Sequence, residues 1–178
     1  MNTIIRRPRR KILFIGIILC LLAFIAAAIY LYSNSKDQMT LTMINDNLNA
    51  NGIKLGLTEE QLIKSWGTGI YHEGFGARFR EYKDLGVSIA IATDRDNDLF
   101  NAISQIKFSN TDFEIFRIKN GDLIQDSEEI LRSYDFKSVE NATGIYANGE
   151  FLIILSGTDV VEDILISFVD KDLRDRIY

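Results

Sequence analysis

The sequence predicts an α+β protein: one N-terminal transmembrane helix, then a domain of two helix-plus-antiparallel-strand repeats forming a sheet covered by short helices. Three observations predict it. An uncharged apolar run lies near the start, helix-start patterns recur at Thr58 and Asp126, and strand-like runs follow each of them.

The composition, 47% apolar and 25% charged over 178 residues, is that of a folded chain, but the charge is divided. Arg6, Arg7, Arg9, Arg10 and Lys11 crowd the first eleven positions, while all 25 acidic residues lie from Asp37 onward. The 15 remaining basic residues set against those 25 leave the later part at −10. Such a surface repels phosphate backbones, which excludes general nucleic-acid binding. One Cys excludes an internal disulfide framework and a Cys-rich zinc site.

Residues 12–32 read ILFIGIILCLLAFIAAAIYLY, with no charge. As a helix this run extends roughly 30 Å, the hydrocarbon thickness of a bilayer. The basic residues before it place 1–11 in the cytoplasm and the rest outside, under the positive-inside rule. The lipid bilayer, through residues 12–32, is thus an expected partner, and the expected location is the cell membrane, single-pass. The small residues Ala26-Ala27-Ala28 also suit a cleavable signal, with cleavage near Ala28 and a secreted product. The apolar sequence runs on through Tyr32, which favours a retained anchor. Cys20 follows Leu19 rather than a small residue, against a lipoprotein signal, and Pro8 departs from a twin-arginine signal at Arg9-Arg10.

Residues 33–52 are polar and Asn-rich and read as a linker, with Met39–Ile44 a short strand or the start of the domain. The domain itself is 53–178, with repeats at about 53–110 and 113–170. Glu59–Trp66 aligns without gaps on Ser127–Tyr134. Thr58 with Gln61, and Asp126 with Glu129, have the N-cap and N3 spacing of a capping box. Gly67 is a stop signal, and Glu60–Lys64 and Glu128–Arg132 are i,i+4 ion pairs. Strand-like runs follow at Ala77–Tyr82, Val87–Thr93 and Ile103–Phe108, then at Gly144–Tyr146, Phe151–Ser156 and Ile164–Val169. Phe113–Ile118 is a further strand candidate that runs into a turn at Asn120-Gly121. Gln105–Phe108 and Leu165–Phe168 echo one another.

The stretch Ile53–Gly67, a small loop, a Thr, a helix and a Gly, resembles the opening of SmpA/OmlA outer-membrane assembly modules and of tandem-repeat β-lactamase-inhibitor-like modules. The resemblance implies a helix pair on a sheet whose exposed face binds other proteins, without a catalytic centre. The second copy departs from it, since Asp135 stands where the terminal Gly would be.

The inventory for chemistry is thin. His72 is the one histidine, placed by Gly69 and Gly74 in a loop, so any Ser-His-Asp or Cys-His system would depend on it. Asp94, Asp96 and Asp98 alternate as in a calcium loop, but Leu99 and Gln105 occupy the places where an EF-hand needs Gly and Glu. Gly74-Phe75-Gly76 lacks the strand-to-helix context and third Gly or Lys of a phosphate cradle. Tyr71, Phe75, Phe79 and Tyr82 with Arg78 and Arg80 form an aromatic and basic set on a two-faced strand, one face of it suited to the core. No catalytic, cofactor-binding or metal-ligating residue is assigned, and no cofactor is expected. The expectation is a non-enzymatic extracytoplasmic protein in a cell envelope, of the bacterial kind, that contacts an unknown envelope protein partner and no nucleic acid. The alternative is a small envelope hydrolase or a ligand or calcium sensor that uses acidic residues. In a eukaryotic host Asn141-Ala142-Thr143 would accept a glycan.

Overall fold

A computed structural model describes residues 39–74, 77–95 and 98–169. Three short α-helices occur among them, α1 Leu41–Asp46, α2 Glu59–Trp66 and α3 Ile124–Ser133, with one 3-10 turn at Lys83–Leu85. The strands are β1 Leu48–Asn49, β2 Ile70–Gly74, β3 Ala77–Tyr82, β4 Val87–Ala92, β5 Ile103–Phe108, β6 Glu114–Ile115, β7 Ile118–Lys119, β8 Lys137–Ser138, β9 Ile145–Asn148, β10 Phe151–Ser156 and β11 Asp163–Phe168.

Helix α2 leads into the meander β2-β3-β4-β5, and α3 leads into β8-β9-β10-β11. The meanders join through their last strands, which gives an eight-stranded antiparallel sheet in the order β2-β3-β4-β5-β11-β10-β9-β8. A smaller sheet, β1-β6-β7, is also antiparallel. Alternation decides which side chains enter the core. Val87, Ile89 and Ile91 of β4, Ile106 and Phe108 of β5, Ile164 and Ile166 of β11, and Phe151, Ile153 and Leu155 of β10 are all buried. Each such aliphatic or aromatic side chain stabilises the fold by about 1.5–3 kcal/mol.

The expected α+β class is corrected to a mostly β protein of two antiparallel sheets with few helices. The physical reason lies in the helices, which have 6, 8 and 10 residues and a narrow buried stripe: Ile44 in α1, Leu62 in α2, Ser127 and Leu131 in α3. They cover only part of the core face. The small sheet contributes the rest, burying Leu48, Ile115, Phe116 and Ile118. Residues 39–52, assigned from sequence to the linker, belong to this core. Met39, Ile44, Leu48 and Ala50 are buried, and the Asn45 side chain clamps Leu55 through its N–H at 2.9 Å and its carbonyl at 3.0 Å.

The single-pass membrane reading is corrected as well. The predicted spanning segment 12–32 lies outside the described residues, and among those described no helix is long and apolar enough to cross a membrane. The single-pass cell-membrane location was derived from that helix and has no support among the described residues; the tail 1–11 and the segment expected to contact the bilayer lie outside them.

Helices α2 and α3 start alike, though only α2 starts where the capping pattern predicts. At α2 the predicted box forms: Thr58 Oγ1 accepts from Gln61 N–H at 3.2 Å, and Gln61 Oε1 accepts from Thr58 N–H at 2.8 Å. At α3 the N-cap is Leu123 rather than Asp126, with no side-chain cap. A tertiary contact overrides the local signal there. Leu123 bridges Val160, Ile124 N–H donates to Asp159 C=O at 3.0 Å, and Val161 N–H donates to Asp122 C=O at 2.8 Å. The same ladder sits before α2, where Thr58 bridges Ala102, Glu59 N–H donates to Asn101 C=O at 2.9 Å, and Ile103 N–H donates to Leu57 C=O at 2.7 Å.

Each of these helices is tied to its own meander at two matching places. Arg80 and Tyr146 sit opposite Ile89 and Ile153, and each engages a helix carboxylate, Glu59 at 2.7 Å and Glu128 at 2.5 Å. Tyr82 and Asn148 sit opposite Val87 and Phe151. Each donates to the carbonyl just past its helix, Gly67 at 2.9 Å and Tyr134 at 3.0 Å.

Candidate interaction surface

The two ends of the large sheet differ. Strand β8 is two residues long and carries Lys137, a short charged edge of the kind that resists pairing with other chains. Strand β2 is five residues long; Ile70 to Glu73 are exposed on both faces, and Gly74 is half-buried. Ile70 is 45% and Tyr71 47% exposed. No described strand pairs with the outer side of β2.

Local sequence explains how this edge is held out. Helix α2 ends at Gly67 (φ 80°), and a second left-handed glycine, Gly69 (φ 59°), starts the chain into β2. A Cβ at Gly69 would meet Glu81 O at 3.0 Å and the Tyr82 ring at 3.1 Å, so the turn requires glycine for conformation and for space. Pairing with β3 then sets the faces. Tyr71 and Glu73 stand opposite Arg80 and Arg78 on the core side, while Ile70 and His72 stand opposite Glu81 and Phe79 on the other.

Beneath β2 lies a polar cluster. Glu59, in the first turn of α2 where a helix favours an anion, meets Arg78 Nη1 at 2.8 Å through Oε2 and Arg80 Nη2 at 2.7 Å through Oε1. Arg80 Nε also donates to Glu59 at 2.8 Å, and Arg80 Nη1 donates to Thr68 C=O at 2.5 Å. Arg78 donates to the Asn101 side chain. Arg78 Nε is buried and makes no hydrogen bond. The Arg80 guanidinium lies 5.4 Å from the Tyr71 ring centre, in cation–π range. Glu59 and the cross-strand neighbour Glu73 set two carboxylates beside the two guanidiniums, next to an exposed tyrosine.

The half-buried side chains of the face opposite the helices include Phe79, Gln105, Lys107, Leu152, Ile154 and Leu165. Lys107 pairs with Asp163 at 3.0 Å. Burial raises the Asp163 pKa, but hydrogen bonds from Ser109 and Lys107 and the Lys107 charge outweigh it, and the net direction is down.

His72, expected in a loop, lies in strand β2, with its side chain 56% exposed and Nε2 3.2 Å from Glu81 Oε2. Of the neighbouring glycines that suggested a loop, Gly69 starts the chain into this strand and Gly74 is its last residue. Arg78, Arg80 and Tyr82 share the core side, whereas Phe79 points the other way; Phe75 lies outside the described residues. Asp96 of the calcium-like run also lies outside them. Among the described residues no group of three or more His, Cys, Asp or Glu side chains could hold a metal ion. The pairing of Glu59 with Arg78 and Arg80 escaped sequence reading, because the partners are about twenty positions apart and only the β3 register brings them together.

No family model and no curated protein matches this chain. Among solved structures it is similar to an extracellular protein containing an SCP domain from Bacillus anthracis, at 13% identity and a TM-score of 0.49, over 70% of this chain and 47% of that one. The chain thus spans about half the length of that protein. It is also similar to a DUF4309 family protein from Bacillus subtilis, at 11% identity and a TM-score of 0.37, over 75% of this chain and 89% of that one. Neither likeness carries a function to this chain.

Proposed function

We propose that this protein is a non-enzymatic interaction module that binds other polypeptides by adding a strand to the β2 edge of its large sheet. The observation that carries the reading is the asymmetry of the two edges. Strand β8 is short and charged, while β2 is longer, with four of its five residues exposed and nothing among the described residues on its outer side. Outer N–H and C=O groups of such a strand supply main-chain hydrogen bonds to an incoming segment, and its alternating side chains supply selectivity. Tyr71 suits that role, with a large apolar ring, a polar tip and few rotatable bonds. The resemblance of Ile53–Gly67 to modules whose sheets bind other proteins supports the same reading.

Site-specific photocrosslinking in cells tests it. A photoreactive residue in place of Tyr71 is expected to form protein adducts, and one in place of Ser138 on the opposite edge is not. Adducts at 138 with none at 71 would sink the proposal.

A further inference from the structure

We infer that the strand received by β2 is β2 of a second copy of this chain, paired antiparallel about His72. The inference rests on the edge-strand reading above and adds the partner.

Geometry restricts the ways in which two copies can meet there. Cross-strand partners must point to the same side of a sheet. A two-fold axis perpendicular to the sheet keeps both sets of helices on one side and therefore pairs residues of the same face. Centring the axis on His72 uses the whole of Ile70–Gly74. It sets His72 against His72, Tyr71 against Glu73 and Ile70 against Gly74.

Charge agrees with this register. Each copy places the carboxylate of Glu73 against the other copy's Tyr71, whose ring lies 5.4 Å from the Arg80 guanidinium, so an acidic group meets the arginine side of the second copy. Each His72 has its own Glu81 at 3.2 Å, which offsets the approach of two imidazoles. The contrast between edges then closes the assembly. A β2-to-β8 contact would propagate head to tail, but β8 offers only two residues, whereas β2 to β2 is self-complementary and stops at two chains.

The test uses the full chain carrying Cys20→Ala and His72→Cys. Residues directly opposite in an antiparallel pair have Cα atoms about 4.5–5.5 Å apart, within disulfide range. Mild oxidation is expected to give a disulfide-linked dimer. Glu73→Cys, in the same Cys20→Ala chain, is the register control. About the same axis its two Cα atoms would be roughly 8 Å apart, beyond disulfide reach, so little crosslinking is expected. Sedimentation of the unmodified chain gives a second readout that does not depend on the variants folding: the average mass is expected to rise toward twice that of one chain as concentration increases. A mass that stays at one chain at every concentration overturns the inference. A disulfide-linked dimer of the Glu73→Cys chain, with none of the His72→Cys chain, also overturns it. If the unmodified chain stays monomeric while photoadducts at Tyr71 contain only other proteins, the dimer fails and the edge-strand function stands. An absence of any adduct at Tyr71 removes both.

Discussion

Ile106 and Ile166 are direct cross-strand partners where the two meanders meet, and both are buried. Phe108 lies opposite Val87 as Phe168 lies opposite Phe151, so 108 corresponds to 168 and 106 to 166. A local two-fold relation therefore passes between these two isoleucines. Each is expected to cost about 2–5 kcal/mol when changed to Ala. Because they line one space, the double variant should lose less than the sum of the two. Urea denaturation of the four chains checks this, and full additivity would refute the shared site.

Glu59 neutralises one of two guanidiniums that are themselves largely buried, with side chains 24% exposed for Arg78 and 13% for Arg80. Glu59→Gln should destabilise the fold by about 2 kcal/mol, since both arginines lose a charged acceptor. In a Glu59→Gln and Arg80→Met cycle the coupling should exceed about 1 kcal/mol, and independent effects would contradict the cluster as described.

The Tyr146 phenol is held well above its ordinary pKa of 10.0, first by burial and then by its hydrogen bond to Glu128. The folded chain thus keeps a proton that the unfolded chain releases. That contribution is intact below pH 10 and is lost as pH climbs past it toward the folded value. Tyr146→Phe should cost about 1 kcal/mol near neutrality through the lost hydrogen bond, and should flatten the fall in stability above pH 10. Denaturation midpoints between pH 8 and pH 11 read both effects.

The turn between β6 and β7 has two central residues, Phe116 (φ 52°) and Arg117 (φ 67°), both left-handed and neither of them glycine. Phe116 is anchored by burial, with Tyr134 at 4.3 Å and Phe136 at 5.6 Å between ring centres. Arg117 is exposed and has no such anchor. Arg117→Gly should therefore raise stability by about 1 kcal/mol, seen as a higher melting temperature. A lower one would show that Arg117 makes a stabilising contact.

Strands β5 and β10 lie where alternating or continuous apolar runs place them, because sheet burial imposes that pattern directly on the sequence; β3 also lies where its alternation places it, but its core side carries Arg78, Arg80 and Tyr82. The Thr58–Gln61 cap is legible because both partners lie within one turn. The start of α3 is not, because a bridge to Val160 decides it from 37 positions away. The β6–β7 turn reads as one continuous strand, since neither Phe116 nor Arg117 is a turn-forming residue type. The class itself is misread when helix and strand signals are weighed equally, because the length of the helices limits how much of the core they cover. At the surface, Tyr71, Arg78 and Arg80 stand out by type, but their separation onto different strands and their link to Glu59 depend on register.

Amide hydrogen exchange along Ile70–Gly74 tests the edge-strand function most directly. The isolated chain, diluted until it is a single molecule, is compared with the same chain in an extract of its own cells. Exchange in β2 is expected to slow in the extract while exchange in β8 is unchanged. Equal exchange in β2 under both conditions, or protection confined to Lys137–Ser138, would contradict it.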